Sequence, residues 1–260
     1  SGRGGTGGGR RRQLAGLRDR ALDARAALSP ARRRLDRAAA ALPRRRVLIL
    51  TVAREDVENR VPQARAELAR SRHDVEYLAA PATGAGKFER LNELLAGRDL
   101  HALDWLLVLD DDVDLPAGFL DRFLGAAESA GLLLAQPAHR LRSHAAWDVT
   151  RRVPGAIARE TTFVEIGPVT AFAAPVFGTL LPFPEGLRMG WGLDAHWSAV
   201  AAGQGWPIGI VDATPVGHTL RPAAATYPRE AAIAEAREFL AGRAYVTRDD
   251  VRTVRTVTVK

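Results

Sequence analysis

The 260-residue chain is long enough for one large α/β domain with a sizeable core, and its lack of cysteine excludes disulfides, thiolate chemistry and cysteine-based zinc sites. The net charge of +7 suggests a nucleic-acid binder until the chain is divided: residues 1–46 carry 14 Arg and 3 Asp, leaving 23 basic and 27 acidic residues for the rest. A body with a net charge of −4 gains little from a polyphosphate backbone, so nucleic acid is not the expected partner.

Residues 1–12 are Gly- and Arg-rich and read as a disordered tail. They carry no apolar stretch of the secretory-signal kind, and no apolar run in the chain approaches the roughly 20 residues that cross a bilayer. From Gln13 the pattern turns helical. Leu14, Ala21, Leu28, Leu35 and Leu42 recur at heptad spacing, with Leu17, Ala24 and Ala38 between them. Ser29-Pro30 interrupts the stripe, as an N-cap and first helical residue would. The spacing predicts a basic amphipathic helical extension over 13–45. Three uses stay open for it: packing on its own domain, a coiled-coil contact through 13–42, or an Arg-rich face on anionic lipid.

At residue 46 the character changes. VLILTVA (47–53) reads as a buried strand, 56–71 as a helix, VEYLAA (75–80) as a strand and 86–97 as a helix closed by Gly97. DWLLVLDDD (104–112) is a strand running into acid, followed by a helix over 117–129 and a strand over 132–136. An irregular stretch extends to about 162, with further strands expected at 162–166, 170–174 and 207–212. Alternation of this kind predicts βαβ units and a mostly parallel sheet flanked by helices, over a domain of 46–243 with a tail at 244–260.

The segment WLLVLDDDVDLP (105–116) places three carboxylates, Asp110, Asp111 and Asp112, at the carboxyl edge of an apolar strand, where open α/β sheets bind ligands. Carboxylates that close repel one another, and a divalent cation relieves the conflict. A calcium loop of the EF-hand kind is disfavoured, because its sixth position would be Leu115 where Gly is required. The plain alternative is a solvated acidic turn. Downstream, MGWGLDAHW (189–197) sets Trp191 between Gly190 and Gly192, a flat apolar face suited to the C–H side of a sugar. Asp194 follows, and it reads equally as a helix cap. PIGIVDATPVGHTL (207–220) is a strand leading to His218, and a lone His is more often structural than a ligand.

With these motifs in this order, residues 47–218 resemble the GT-A glycosyltransferases, family 2 and its relatives. The resemblance implies a Rossmann-like GT-A fold, a nucleotide-sugar donor, a carbohydrate or other hydroxyl acceptor, and Mn²⁺ or Mg²⁺ as cofactor. By position, Asp112 would ligate the metal with Asp110 and Asp111 assisting at metal or donor, and His218 would complete the site. Asp194 would be the base of an inverting transfer, although Ala195 stands where the family carries a second acid. Thr51, Arg54 and Glu76 would face the nucleotide, and Gly86, Lys87 and Asn92 the donor. Lys87 reads equally as an exposed residue at a helix start. Gly190, Trp191, Gly192 and Glu165 would line the acceptor side. Two rivals stand beside this reading: a nucleotidyltransferase, whose Gly- and basic-rich loop TVAREDVEN does not match, and a non-catalytic carbohydrate-binding protein. The expected location is cytoplasmic or peripheral at a membrane.

Overall fold

In a computed structural model, the structure describes residues 10–221 and 228–258, with side chains from residue 13 onward. Residues 1–9 of the expected tail lie outside the described residues; 10–12 belong to the first helix. Two helices open the chain, α1 (Arg10–Leu28) and α2 (Pro30–Ala41). The break between them is capped: the Ser29 hydroxyl accepts the Arg32 N–H at 3.1 Å, and Pro30 needs no donor there.

Among the described residues nine strands follow: β1 (Arg46–Ala53), β2 (Asp74–Pro81), β3 (Trp105–Asp110), β4 (Val113–Asp114), β5 (Leu134–His139), β6 (Ala158–Thr161), β7 (Val169–Ala173), β8 (Ile208–His218) and β9 (Thr253–Val257). The helices between them are α3 (Val61–Leu68), α4 (Lys87–Leu95), α5 (Phe119–Ala130), α6 (Phe177–Leu180), α7 (Leu193–Gln204) and α8 (Arg229–Leu240). The sheet order is β2-β1-β3-β7-β5-β8-β6-β9, with β4 paired to the end of β8. β1 runs parallel to β2 and β3, and β5 to β8, while β7 and β6 run against their neighbours. Six of the eight strands in the main path therefore share one direction. This is the expected α/β class, a mostly parallel sheet flanked by helices.

β1 and β3 are buried on both faces, which explains their unbroken apolar runs. Val47, Ile49, Leu107 and Leu109 join one core with Phe119, Phe123 and Leu124 of α5. Leu48, Leu50, Leu106 and Val108 point the other way, into a core with Phe88 and Leu91 of α4 and Trp197 of α7. The extension is part of this packing. Leu35 and Ala39 of α2 are buried, and a Cβ added at Gly125 of α5 would lie 2.7 Å from that of Ala39.

Several boundaries differ from the sequence reading. The helix expected over 56–71 begins only at Val61, with Pro62 in its first turn. No strand covers 162–166. Instead β6 falls inside the stretch read as irregular, because its Arg159 is buried and paired with Asp212 of β8 at 2.8 Å. A charged residue in a core strand hides that strand from an apolar pattern. The tail expected over 244–260 supplies β9, which extends the sheet beyond β6.

Candidate active site

β3 carries Asp110 to the carboxyl edge of the sheet, and the chain turns through Asp111 and Asp112 before β4. β4 then pairs antiparallel with the end of β8, Val113 opposite His218. That register sets Asp112 beside the imidazole: His218 Nε2 lies 3.1 Å from Asp112 Oδ1. Asp110, Asp112 and His218 each offer one ligand atom, and these atoms all lie within 4.8 Å of one another. Two carboxylate oxygens and a neutral imidazole nitrogen form a donor set that fits a divalent cation of the Mn²⁺ or Mg²⁺ kind.

Positive charge surrounds the cluster. Asp111, 3% exposed, accepts from the Arg54 backbone N–H at 2.9 Å and from its guanidinium at 3.1 Å, and meets Arg221 Nη2 at 2.5 Å. Arg221 Nε stands 3.5 Å from Asp112. Lys87 Nζ, at the start of α4, is 2.5 Å from Asp110. Burial pushes the Asp112 carboxyl up, but the hydrogen bond and charge of His218, with Arg221 and Arg54, outweigh it and hold the group below the usual carboxylate range. For His218, burial lowers the imidazole, and the hydrogen bond and charge of Asp112, with Asp110 and Glu165, more than reverse that.

Asp194 is the second residue of α7. The helix cap is Gly192, in left-handed conformation, so the Asp194 side chain is not the N-cap. Its carboxyl accepts the Ala195 N–H at 2.9 Å, and the nearby Ile166 backbone also favours its charged form. The residue keeps some exposure, yet its carboxyl is enclosed by protein, and burial, helped by the charge of Glu165, raises it to about 7.

The segment 165–168 links the two groups. While Ile166 meets Asp194, Pro168 O accepts the Asp110 N–H at 2.8 Å, and a Cβ added at Gly167 would come 2.9 Å from Asp110 Oδ2. The Gly190-Trp191-Gly192 turn is held from outside, since the N–H groups of Arg188, Met189 and Gly190 all donate to Glu235 of α8. It also leans on α4. A Cβ at Gly190 would fall 2.1 Å from the Phe88 ring, and one at Gly86 equally close to the Arg188 backbone.

Four of the expected donor and acceptor residues are engaged elsewhere. Thr51 is fully buried, and its hydroxyl accepts from Tyr77 at 2.9 Å. Glu76 lies in the amino half of β2, opposite Leu48, paired with Arg98 at 2.8 Å. The Asn92 amide bonds both backbone groups of Phe183, at 2.8 and 2.9 Å. The Glu165 carboxylate is shared by His139 Nε2, the Thr150 hydroxyl and the Ala146 N–H. Each of these four side chains thus meets a partner within the protein.

Three residues at the site escaped the sequence reading. The ring of His139, buried at the end of β5, lies 6.4 Å from that of His218, and the His144 ring lies 6.2 Å away. The strand expected over 132–136 in fact runs on as β5 to His139, past Pro137 through a register shift. Arg221 carried no signal beyond following His218 by three residues.

No protein-family model and no curated protein matches the chain. Solved structures do. One is GalNAc-T7 with UDP, GalNAc and Mn²⁺, 10% identical, TM-score 0.47, covering 75% of this chain and 48% of that one. A second is TarS residues 1–349 of S. aureus in complex with UDP-GlcNAc, 11% identical, TM-score 0.46, covering 76% and 66%. A mycobacterial protein is 13% identical with a TM-score of 0.49 and 87% coverage of both chains. The chain spans about half of the first and just under two thirds of the second. Likeness at this level is one of outline, so the functional reading rests on the residues of this chain.

Proposed function

We propose that this chain is a metal-dependent glycosyltransferase that moves a sugar from a nucleoside-diphosphate-sugar to an acceptor hydroxyl with inversion. The observation that carries the reading is the convergence of Asp110, Asp112 and His218 at the carboxyl edge of the sheet, within reach of one divalent cation. Asp110, Asp112 and His218 would hold the ion; when bound, it supplies positive charge where the departing diphosphate becomes negative. Lys87 and Arg221, already at the same carboxylates, add fixed cationic charge on that side. Arg54 holds Asp111 and thereby the turn between the two ligands.

Asp194 is assigned the proton. A carboxyl near 7 is matched to general-base work at neutral pH, where it is partly ionised yet basic enough to accept a proton. The acceptor O–H bond breaks as its oxygen bonds to the anomeric carbon; the proton goes to Asp194, and the bond from that carbon to the phosphate oxygen breaks with its electron pair on the diphosphate. Trp191, between its two glycines, is the apolar face proposed for the acceptor sugar.

The test is product analysis. UDP-, GDP- and dTDP-sugars are incubated with the full chain and an acceptor panel, with Mn²⁺, Mg²⁺ or EDTA. The expected outcome is nucleoside diphosphate and a product of inverted anomeric configuration, abolished by EDTA and by Asp112→Asn. Pyrophosphate release instead would establish a nucleotidyltransferase. Bound donor without turnover would make the chain a binding protein.

A further inference from the structure

α1 presents two unlike faces. One is docked on the domain: Asp19, 4% exposed, accepts the N–H groups of Leu141 and Arg142 at 3.0 and 2.9 Å and pairs with Arg152 at 3.2 Å. Arg152 also holds Asp23 at 2.8 Å, and Asp23 meets Arg140 at 3.2 Å. On the opposite side, Leu14, Leu17, Ala21, Ala24 and Leu28 fall at alternating steps of three and four residues, which puts them on one seam. All five are exposed, the leucines at 56, 60 and 78%. A single exposed leucine needs no explanation, whereas an aligned set on one helix does.

The seam is flanked by Arg20 on one side and by Arg18 and Arg25 on the other, all exposed. The acids of this segment are all paired with arginine. Asp19 and Asp23 are committed to Arg152 and Arg140, and Asp36 to Arg32 and Arg122. The outer face of α1 thus combines apolar and cationic side chains without a compensating carboxylate.

We infer that this face docks on an anionic lipid surface, with the leucines in the interfacial layer and Arg18, Arg20 and Arg25 at headgroup phosphates. Charge complementarity selects the occupant. A second copy of α1, in either orientation, sets arginine against arginine across the seam. An acidic partner helix would find alanine at positions 21 and 24, where knobs-into-holes packing needs bulk. A lipid interface requires neither holes nor register, only a narrow apolar stripe with basic flanks. The contact is peripheral, since among the described residues no helix is long and apolar enough to cross a membrane. This inference does not depend on the sugar-transfer proposal.

The full chain is sedimented with vesicles of phosphatidylcholine alone and of phosphatidylcholine with an equal share of phosphatidylglycerol, at low and high salt. Binding is expected to the anionic vesicles, weakening as salt rises. Leu14→Gln/Leu17→Gln/Leu28→Gln and Arg18→Gln/Arg20→Gln/Arg25→Gln should each weaken it by on the order of tenfold or more. All six positions are exposed, so both variants should keep the parent's circular dichroism; if the leucine variant unfolds, the arginine variant carries the test. Equal binding to neutral vesicles, no binding to anionic vesicles at low salt, or unchanged binding by the arginine variant would overturn the inference. So would a dimer in light scattering that the leucine variant abolishes, or capture of an acidic helical peptide without vesicle binding.

Discussion

At the scale of single residues, Asp194 makes the sharpest pH prediction. Its carboxyl lies near 7 in the folded chain, above the ordinary value of about 3.9, so the native state holds this proton more tightly than the unfolded one. The resulting stability is fully present below about pH 4 and is lost as pH rises toward 7. Asp194→Asn removes that loss, so the variant's melting temperature relative to the parent should climb from pH 4 to pH 7 and then level off. Turnover should move oppositely. Parent kcat/KM should rise with pH through about 7, while the Asn variant should lack that rise and fall about 10²–10⁴-fold short of the parent above it. Gly190 is a second such point. With φ at +78° and Phe88 in the place of any Cβ, Gly190→Ala should cost about 2–4 kcal/mol in urea unfolding. The aspartate cluster was legible in the sequence because acid at the end of an apolar strand leaves few structural explanations, whereas His218 was expected beside it only through the resemblance. The partners of Thr51, Glu76, Asn92 and Glu165 were not legible, because Tyr77, Arg98, the Phe183 backbone and His139 come from elements whose pairing the sequence does not spell out.

At the scale of elements, the site depends on how strand ends are registered. The two-residue pairing of β4 with β8 sets Asp112 against His218, and Ser143, just past β5, holds the His218 N–H at 3.0 Å. The loop containing Ser143 is anchored by α1, since Asp19 accepts two of its N–H groups. Asp19→Ala leaves both without that acceptor and Arg152 with Asp23 alone, so it should cost about 2–4 kcal/mol in stability. It should also weaken Mn²⁺ binding through His218, which a purely peripheral helix would not do; calorimetric titration reads both consequences apart. Legibility at this scale followed burial chemistry. β1 and β3, apolar on both faces, stood out. β6 was hidden by Arg159 and β5 runs on past its expected end through Pro137, cases in which an ion pair and a register shift replace the apolar pattern.

At the scale of the whole molecule, charge is divided as the fold is. The acidic body sets Asp110, Asp111 and Asp112 at one edge of the sheet, each matched by a nearby cation, while α1 of the basic segment turns Asp19 and Asp23 toward the domain and its arginines outward. The division was visible in the sequence, and so was the α/β alternation. Packing of the extension on its own domain was one of the uses the sequence left open, and α2 takes it through Leu35; that the C-terminal residues extend the sheet was not visible, since it depends on long-range contacts. The central claim is that one cation, held by Asp110, Asp112 and His218, makes this edge a nucleotide-diphosphate site. Isothermal titration of the full chain with UDP, GDP and dTDP, in Mn²⁺ and in EDTA, tests it most directly. The account predicts that one nucleotide binds in Mn²⁺, that EDTA abolishes the binding, and that Asp112→Asn loses it while remaining folded. Binding of equal strength in EDTA, or none in either condition, would contradict it.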